Sequence, residues 1–554
     1  MYEQAVERGI PRERAWLRFT RSHAALVIGL AVVGALVIRL ALALLVDYLG
    51  HSDYVFYYTV GRNVAAGRGF EVDYIWNYLS DPDGLPYTSN DYWMPGAAAV
   101  IAAFLRVFGD SVFVGLVPSM LLGVAVAAPV AIWARDYTGA WFAGVAVVPL
   151  VLALPLMMGY SLMAHSTMYF VFCAVCSLVM MSKGGTQPRR YLLAAGLAGL
   201  AYLMRQDGLL LLAVLSAAVL ASGHMPRTKA RFLAGSVIVF LLVIAPWLVS
   251  TVREFGRPLP PGPSKTMFAR EYEDIYTYSN ALTLDSYLDW GVSNIARQKA
   301  DMALNNGMRL QSLLWQGISR RTYDADRRTF TVGLGYALWG LVIAGIVVLL
   351  RSPERRARRD LYLPFVLHLE LLFLFYTLVA TAVSLSSAFE RSALAIAPFL
   401  LVVMVDGLVH VVRSRAVAAV IVAVLTGILL AEGVRSTEDQ IATQNRFGRM
   451  FERLTPVVAA DAAARDQANV VIMTRDPWEV SFITGYAAIQ VPNDDLDSIL
   501  AAARRYDANY LLLPAQRAAL DPLVDAPESD ARFEYVGPVP ESEMRVFYIR
   551  PAAE

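Results

Sequence analysis

A small set of polar and ionisable side chains stands at or near the ends of long apolar segments. The set consists of Asp53, His165, Arg205, Gln206, Asp207 and Arg391, with Arg39 inside the first apolar segment. Arginine binds phosphate oxygens through paired hydrogen bonds, and a carboxylate can take a proton from a hydroxyl group. These residue types therefore suit a site that holds a phosphate-bearing lipid and a polar acceptor.

The composition places these side chains in a membrane protein. Of the 554 residues, 57% are hydrophobic and 17% are charged, whereas soluble globular proteins contain about 45–50% apolar residues. The formal net charge is +1, and unmatched basic residues gather only at the predicted membrane edges, so no nucleic-acid partner is expected. The sequence contains no Walker A motif, and no nucleotide cofactor is expected.

Apolar segments along the chain predict membrane-spanning helices. They cover residues 24–46, 111–133, 140–159, 166–181, 191–204, 208–221, 232–249, 331–350, 362–383, 393–412 and 416–430. The fifth and sixth are shorter than the roughly 17 residues that a span usually needs. Counting both keeps the lysines and arginines of every short loop on the cytoplasmic side. The sequence therefore predicts an α-helical polytopic membrane protein with about 11 spans.

The amino terminus predicts the orientation of the chain. Arg8, Arg12, Arg14, Arg18 and Arg21 precede the first apolar segment, which has no small-residue cleavage site. This pattern predicts a signal anchor whose amino end stays in the cytoplasm. Residues 1–432 would form the part embedded in the cytoplasmic (inner or plasma) membrane, with external loops at residues 48–110 and 250–330. Residues 433–554 would lie outside the cell.

Asp53 begins a predicted amphipathic helix that covers residues 53–66. Tyr54, Tyr57 and Tyr58 recur near helical spacing, which favours a short helix lying on the bilayer with its rings buried there. Asp53 would then stand at the boundary between lipid and water. A carboxylate at this position also has a purely structural explanation, because it stabilises the amino end of a helix by about 0.3–1 kcal/mol.

The two short apolar segments predict a helical hairpin whose turn cannot reach the bilayer surface. Arg205, Gln206 and Asp207 would lie in that turn, facing protein or a wet cavity, which marks them as functional candidates. An ion pair between Arg205 and Asp207 that closes the hairpin is the structural alternative. For His165, both a contact with acceptor or phosphate and a structural role at a helix start stay open.

Aromatic residues and prolines characterise the external loops. Residues 95–108 predict a second interfacial helix. The loop over residues 250–330 carries Tyr272, Tyr276, Tyr278, Tyr287 and Trp290. Such residues stack on sugar faces or anchor a loop to lipid headgroups, and both interpretations are open.

Residues 433–554 predict a small extracytoplasmic α/β domain. Strands are expected over residues 470–473, 487–491, 510–513 and 546–549, and a helix over 496–506. This region has no glycine fingerprint, no metal-spaced histidine or cysteine set and no nucleophile elbow, which favours a role in capping the site or guiding the acceptor. The polar segment 433–445 predicts a linker before the domain.

Several short motifs together resemble the GT-C class of integral-membrane glycosyltransferases, such as protein mannosyltransferases and aminoarabinose transferases. The first external loop carries Asp53-Tyr54-x-x-Tyr57-Tyr58-x-x-Gly61-Arg62-Asn63-x-x-x-Gly67-Arg68-Gly69-Phe70. Further similar motifs are Gly199-Leu200-Ala201-Tyr202-Leu203-Met204-Arg205, Pro246-Trp247 leading to Phe255-Gly256-Arg257-Pro258, and Phe389-Glu390-Arg391 ahead of Pro398. Their order and sidedness extend the resemblance through about residue 415.

The resemblance implies a donor in which the sugar is linked to polyprenyl phosphate, with Asp53 as the general base. Arg205 and Arg391 would bind the donor phosphate, with Arg39 as a weaker third candidate. Relatives often carry an acidic residue after the third span, where this chain has His165, so no metal ligand set is predicted, although a divalent metal stays possible. Further candidate contacts with donor or acceptor are His165, Gln206, Asp207 and Tyr57.

The sequence therefore predicts a glycosyltransferase that moves a sugar from a polyprenyl-phosphate carrier to a lipid, glycan or protein acceptor at the outer face of the membrane. Direct displacement at the anomeric carbon would invert its configuration. The alternative is a transporter or flippase for an anionic lipid-linked substrate, which would need a polar path through several spans. A third hypothesis, a sensor or assembly protein, predicts a coupling helix after the last span, where segment 433–445 predicts a linker instead.

Overall fold

The computed structural model of the chain describes residues 21–50, 52–278, 282–317 and 325–551, and the protein is mostly helical. Of the arginines on which the signal-anchor prediction rests, Arg21 begins α1, and Arg8, Arg12, Arg14 and Arg18 lie outside the described residues. The helices are α1 Arg21–Ala43, α2 Asp53–Ala65, α3 Gly96–Phe108, α4 Val112–Ala125, α5 Ala127–Thr138, α6 Trp141–Ala153, α7 Pro155–Ser161, α8 Ser166–Ser182, α9 Arg190–Met204, α10 Leu209–Ala221, α11 Pro226–Phe255, α12 Pro261–Thr266, α13 Leu284–Asp289, α14 Val292–Ser312, α15 Ala325–Arg351, α16 Pro353–Ala357, α17 Leu363–Leu378, α18 Thr381–Ser384, α19 Ala388–Ala393, α20 Ala397–Val412, α21 Arg415–Glu452, α22 Leu454–Ala464, α23 Pro477–Thr484, α24 Leu496–Arg505 and α25 Asp521–Asp525. The strands are β1 Glu71–Val72, β2 Tyr74–Ile75, β3 Tyr87–Thr88, β4 Val471–Thr474, β5 Ala487–Gln490, β6 Tyr510–Leu513, β7 Phe533–Pro538 and β8 Arg545–Ile549.

The apolar segments are helical, because in lipid a helix satisfies its backbone hydrogen bonds within the segment. Among the described residues, five helices are long and apolar enough to cross a membrane, and the bent pair α6–α7 would make a sixth. Shorter apolar helices, among them α8, α9, α10, α17 and α20, lie at other predicted spans. The chain is a multi-pass membrane protein, and the number of about 11 spans stays a prediction. The five long segments are His23–Ala43, Val112–Thr138, Pro226–Phe255, Val332–Arg351 and Arg415–Ala464.

The third predicted span is a broken helix. Between α6 and α7 the axis bends by 59°. The break falls at Leu154, which precedes Pro155 and has a ψ of 126° instead of a helical value. A proline ring crowds the residue before it and disfavours the helical conformation there. The second half, α7, then leads into the loop that carries His165.

Helix α2 has the predicted extent, but its aromatic side chains are buried in protein and not in the bilayer. Phe56, Tyr57 and Tyr58 are all buried. Helix α3 packs closely on α2, where a Cβ atom on Gly61 would lie 2.8 Å from the side chain of Ile101. The C-terminal helix α23 also packs against α2. The prediction that the bilayer buries these rings is therefore corrected, since two protein elements cover them instead.

Helices α9 and α10 form the predicted hairpin, joined by a 3₁₀ turn over Gln206–Gly208. The absence of a side chain at Gly208 makes the turn possible, because a Cβ atom there would collide with the backbone of Tyr202. The tight turn leaves Arg205 in an extended conformation immediately after α9, with φ −151° and ψ 138°. From this position the side chain of Arg205 reaches Tyr376 on α17 and Ser392 on α19.

The C-terminal region contains a six-stranded sheet of order β2-β5-β4-β6-β8-β7. Strands β2, β5, β4 and β6 are parallel, and β8 and β7 continue the sheet in antiparallel fashion. The predicted strands and the helix α24 lie close to their predicted positions. The edge strand β2, however, comes from the first external loop: Tyr74 pairs with Ala488 and Ile75 with Ile489. The domain predicted for residues 433–554 therefore shares its sheet with the membrane part of the chain.

The predicted linker at 433–445 is wrong, because α21 continues through it to Glu452. Both apolar and polar side chains of this helix are buried, among them Ile441, Gln444 and Asn445, so the segment shows no continuous apolar stripe. The side chain of Asn445 accepts the backbone N–H of Asp47 at 3.0 Å and donates to the carbonyl of Leu45 at 2.8 Å. These bonds tie α21 to the end of α1. The helix is the one that a sensor hypothesis predicts, but it equally anchors the C-terminal region of an enzyme.

Candidate active site

Three side chains from distant parts of the chain meet at the amino end of α2. Asp53 is the first residue of α2, His165 directly precedes α8, and Arg391 lies on α19. The Nη1 group of Arg391 donates to Oδ2 of Asp53, although the two residues are 338 positions apart. The Nε2 atom of His165 lies 3.1 Å from the same oxygen. A single carboxylate oxygen of Asp53 is therefore in hydrogen-bonding contact with both the guanidinium of Arg391 and the imidazole of His165.

Arg391 is held in place by the start of its own helix. Ser387 adopts a left-handed conformation there, with φ 71°, which is uncommon for a residue with a side chain. This turn brings the carbonyl of Ser386 to 2.8 Å from Nη2 of Arg391. Nη2 of the guanidinium thus bonds to the backbone, whereas Nη1 bonds to Asp53 and lies 3.1 Å from Nε2 of His165.

Hydrogen bonds determine which nitrogen of His165 carries the proton. The Nδ1 atom accepts the backbone N–H of Thr167 at 3.1 Å, so the proton lies on Nε2, which donates to Asp53. The rings of Tyr54 and Tyr57 contact the imidazole edge-on, with centroids 5.5 and 5.6 Å away. Burial lowers the pKa of His165 from 6.5 to about 4, although the bond to Asp53 acts in the opposite direction. The imidazole is therefore neutral and orients the carboxylate without adding charge.

Asp53 is ionised in this arrangement. Burial alone would raise the pKa of its carboxyl group, but the charge of Arg391 and the hydrogen bond from His165 hold that pKa below its ordinary value. The pairing also raises the pKa of Arg391, against the effect of its own burial. A general base works best with a pKa near the ambient pH. Asp53 would therefore become a stronger base when another anion replaces it beside Arg391.

The turn of the hairpin brings Arg205 to the same site. Its Nε group donates to the hydroxyl of Ser392 at 3.2 Å, and its Nη2 group donates to the hydroxyl of Tyr376 at 3.1 Å. The same Nε group lies 3.2 Å from Oδ1 of Asp207, so the ion pair of the structural alternative is present. Because Ser392 follows Arg391 on α19, the two arginines are neighbours in space. Both functions, closing the hairpin and facing the site, are compatible with this geometry.

A cavity of about 590 Å³ lies beside these side chains, a volume typical of small-molecule sites. Its lining from the membrane part includes Asp53, Tyr57, Arg205, Gln206, Asp207 and Arg391. The loops predicted to be external contribute Trp76, Trp93, Tyr272 and Tyr276, and the C-terminal region contributes Arg475, Asp476, Trp478 and Gln490. One cavity therefore joins the two parts of the chain.

Four aromatic side chains, Tyr57, Trp93, Trp76 and Trp478, form a row of ring contacts that we call the aromatic ladder. The centroids of Tyr57 and Trp93 are 6.4 Å apart, and Trp93 stacks on Trp76 at 4.4 Å with 16° between the ring planes. Trp76 then contacts Trp478 at 5.6 Å. Since Tyr57 also contacts His165, the ladder leads from the Asp53 site to the C-terminal region.

The side chains around Asp53 are not arranged to bind a divalent cation. The guanidinium of Arg391 lies against Oδ2 of this carboxylate, and its positive charge would repel a metal ion bound to Asp53. The Nδ1 atom of His165 is used by the backbone of Thr167. Within the described ranges, no group of three or more His, Cys, Asp or Glu side chains could hold a metal ion.

Comparison with known proteins gives the class of this fold. Residues 94–249 match the family described as dolichyl-phosphate-mannose-protein mannosyltransferase. The structure is similar to that of ArnT from Cupriavidus metallidurans bound to undecaprenyl phosphate, with 14% sequence identity and a TM-score of 0.56, covering 96% of this chain and 99% of that chain. The chain has the GT-C fold.

Two further structures support the GT-C assignment. The oligosaccharyltransferase of Archaeoglobus fulgidus in the apo form is 11% identical, with a TM-score of 0.53, and the match covers 90% of this chain and 70% of that chain. AglB from Archaeoglobus fulgidus, in complex with an inhibitory peptide and a dolichol-phosphate, is 12% identical, with a TM-score of 0.50 and coverage of 87% and 69%. No curated protein matches the sequence. The fold and the family match confirm the resemblance to GT-C glycosyltransferases.

In this GT-C protein most, but not all, of the candidate residues meet. Gln206 lines the cavity and donates to the carbonyl of Tyr92 at 2.8 Å. His165 is buried behind Asp53 and acts on it directly. Arg39 is not brought to the cavity, which corrects its place among the phosphate-binding candidates. Its guanidinium donates instead to the carbonyl of Leu152 at 3.0 Å, where α1 packs on α6.

Sequence reasoning missed the residues that the GT-C protein draws from its C-terminal sheet. Trp76, Arg475 and Gln490 lie at the carboxyl ends of β2, β4 and β5. Ligands of open parallel sheets bind outside these ends. That rule could have identified Arg475 and Gln490, because β4 and β5 were predicted. Trp76 carried no such signal, since β2 has only two residues and pairs with a strand more than 400 positions away.

Proposed function

We propose that the protein transfers a sugar from a polyprenyl-phosphate carrier to a hydroxyl-bearing acceptor at the outer face of the cytoplasmic membrane. The observation that carries this proposal is the meeting of Asp53, Arg391 and Arg205 at one cavity of a GT-C fold. ArnT, which has a similar fold, binds undecaprenyl phosphate, and AglB binds a dolichol-phosphate. A carrier of this kind supplies the activated sugar where no nucleotide sugar is available.

The donor phosphate binds Arg391 and Arg205. Both guanidinium groups lie at the cavity, and their hydrogen bonds to Ser386 and Tyr376 orient them before the donor arrives. Fixed positive groups stabilise the charge that develops on a leaving phosphate, because they need no reorganisation during the reaction. The phosphate takes over the contact that Asp53 makes with Arg391. Loss of that contact raises the pKa of Asp53, which makes its carboxylate a better base.

Asp53 acts as the general base. The acceptor oxygen attacks the anomeric carbon, its proton passes to Asp53, and the bond between that carbon and the phosphate oxygen breaks. Polyprenyl phosphate leaves with the electron pair. A single displacement of this kind inverts the anomeric configuration. His165 holds the carboxylate in place through its Nε2–H group.

The outer location rests on the topology. Asp53 and the C-terminal sheet line the same cavity and must lie on the same side of the membrane. With the predicted 11 spans, ten would follow Asp53 and return the chain to that side, whereas merging α9 and α10 into one span would put the sheet on the opposite side. The shared cavity supports the count with both short helices, and the basic residues of the short loops support an outer location for this side.

The transporter or flippase alternative is not favoured. Its signature would be polar side chains distributed along a path through several spans. Asp53, Arg205 and Arg391 gather instead at one cavity, and the family match is to transferases.

The test is the variant Asp53→Asn, which keeps the size of the side chain and its ability to accept from Arg391. Turnover should fall by about a hundredfold or more, because the amide cannot take the acceptor proton. Donor binding should persist. The measurement is release of polyprenyl phosphate from a radiolabelled lipid-linked sugar in membrane vesicles of producing cells, which contain the acceptor.

Asp83→Asn is the matched control, since Asp83 is an exposed carboxylate of the same external loop. It should turn over at the wild-type rate. A turnover rate near that of the wild type in Asp53→Asn would show that Asp53 is not the general base. The search would then move to Asp207, which also lines the cavity.

A further inference from the structure

The carboxyl edge of the C-terminal sheet forms one wall of the cavity. Three adjacent parallel strands end there: β2 is followed by Trp76, β5 ends on Gln490, and β4 is followed by Arg475. In open α/β sheets this edge is where ligands bind, because successive loops leave a crevice between them. Trp478, at the start of α23, completes what we call the sheet wall.

Tryptophan rings line the sheet wall, although Trp76 and Trp478 are buried and expose only a small part of their surface to the cavity. Trp76 lies between Trp93 and Trp478 in the aromatic ladder, and the side chain of Tyr92 meets Trp76 edge-on at 4.7 Å. Indole rings combine a broad apolar face with one polar edge, so they suit ligands that have both apolar and polar surfaces. The C–H faces and hydroxyl edges of a pyranose or furanose ring have this character.

Two polar atoms of the sheet wall make no hydrogen bond to any residue that the structure describes. They are Nε1 of Trp478, a donor, and Oε1 of Gln490, an acceptor. Trp478 is 3% exposed and Gln490 is 1% exposed, and both line the cavity. A buried polar atom without a partner is costly in free energy. A ligand rich in hydroxyl groups would satisfy both, since a hydroxyl both donates and accepts.

From these observations we infer that the sheet wall binds a saccharide, and that the acceptor of the transfer is a glycan. This inference rests on the proposed function, because it assigns the acceptor side of the same cavity. The ladder places a bound glycan in continuity with Tyr57 and thus with Asp53. A hydroxyl of the glycan can then reach the base while its other hydroxyls meet the wall.

The donor sugar is placed elsewhere by its lipid. In the proposed function its phosphate binds Arg391 and Arg205, whose side chains meet Asp53 and Ser392, and its polyprenyl chain lies in the bilayer. The sheet wall belongs to the C-terminal region and to loops outside the predicted spans. A carrier tethered in the bilayer and an acceptor coming from the water therefore enter from different directions.

The test uses the full chain in lipid nanodiscs. Binding is measured to an array of defined hexose and pentose oligosaccharides and to a matched array of unglycosylated peptides that contain serine and threonine. Wild-type protein should bind a subset of the oligosaccharides. Gln490→Leu and Trp478→Phe should each weaken this binding by about tenfold, because each removes one hydrogen bond of the wall.

Matched controls are Gln467→Leu and Trp141→Phe, which change the same residue types away from the cavity. Both should bind oligosaccharides as the wild type does. A second measurement uses only the wild-type protein and so does not depend on the folding of any variant. A glycan bound at the aromatic ladder should shift the tryptophan fluorescence of that protein. Binding of the peptides alone, no fluorescence shift with any oligosaccharide, or full binding by both wall variants would overturn the inference.

Undecaprenyl phosphate with and without a linked sugar separates this inference from the proposed function. Binding of the bare carrier should depend on Arg391 and be unchanged in Gln490→Leu. A wall variant that loses affinity for the linked sugar and keeps affinity for oligosaccharides would assign the wall to the donor and overturn the glycan acceptor. Glycan binding without Arg391-dependent carrier binding would refute the proposed function and leave the saccharide wall supported.

Discussion

The site around Asp53 and the sheet wall, at two ends of one cavity, differ in how their polar groups are matched. At the charged end, Asp53, His165 and Arg391 bond to one another, so that each charge or dipole has a partner within the protein. At the sheet wall, Trp478 and Gln490 each have a polar atom with no partner among the described residues. A charged site must be arranged before the reaction, because reorganising charges is slow and costly. An acceptor subsite can instead keep its hydrogen-bonding capacity for the ligand.

Two buried carboxyl groups, Asp53 and Asp91, have pKa values that are shifted in opposite directions. Asp53, beside Arg391, has a pKa below the ordinary value. Asp91, which precedes the Tyr92-Trp93 pair of the cavity lining, is buried with the neutral hydroxyls of Ser80 and Tyr87, and burial raises its pKa from 3.8 to about 7. A nearby cation therefore outweighs burial at one position, and neutral hydroxyls do not at the other.

The largest expected effect concerns the cation of the charged end. Arg391→Ala should lower turnover by about a hundredfold to a thousandfold and weaken carrier binding, because it removes a preorganised group that stabilises the leaving phosphate. Arg391→Lys should recover only part of the loss, since an ammonium group lacks the paired donors that Asp53 and phosphate use. Both are measured as release of polyprenyl phosphate and as binding of undecaprenyl phosphate in nanodiscs.

Arg446→Ala, an exposed arginine on α21, is the control for the loss of one positive charge. If the alanine variant at 391 binds the carrier as the wild type does, Arg391 is not part of a phosphate site. The charged end of the cavity could then no longer be assigned to the donor phosphate, and the comparison of the two ends would fail.

A smaller effect is expected at His165, which acts through Asp53. His165→Leu should lower kcat by about tenfold with little change in the KM for the donor, because the carboxylate loses the group that orients it. His165→Gln should recover part of the rate, since its amide can still donate to Asp53. The measurement is kcat and KM as a function of pH.

The pH profile distinguishes orientation from mere packing at His165. The hydrogen bond from His165 lowers the pKa of Asp53, so its removal should raise that pKa and move the acid limb of kcat/KM to higher pH. A rate loss with an unmoved acid limb would mean that His165 only fills space. His224→Leu, far from the cavity, serves as the control.

The last expected effect is one of stability and not of turnover, at Asp91. The folded-state pKa of about 7 exceeds the ordinary value of 3.8, so the folded protein binds a proton more tightly than the unfolded chain. Between these pH values the wild type must therefore lose stability as the pH rises. Asp91→Asn has no charge to bury, and its Tm should exceed that of the wild type by an amount that grows from pH 5 to pH 8.

Thermal unfolding in nanodiscs at both pH values measures this difference, with Asp83→Asn as the exposed control. An advantage of the Asn variant that stays constant with pH would show that Asp91 does not titrate in this range. The stated contrast between the two buried carboxyl groups would then be wrong.

Local signals in the sequence determined much of the secondary structure. Long apolar runs determine helices because a membrane leaves the backbone no other partner. Tyrosines at helical spacing placed α2, and short β-branched runs placed β4, β5, β6 and β8 near their observed positions. Sequence reasoning could identify the candidates Asp53, Arg205 and Arg391, because charged residues beside apolar segments are rare and costly.

Only the tertiary structure decided which of these residues meet. Asp53 and Arg391 are 338 positions apart, and no periodicity links them. The same holds for β2, whose two residues gain their strand geometry from β5, and for α21, whose polar side chains are buried against the end of α1. Conversely, Arg39 appeared as a site residue and bonds instead to the carbonyl of Leu152. Local pattern determines the elements, whereas contacts between distant segments, which have no local signal, determine the site.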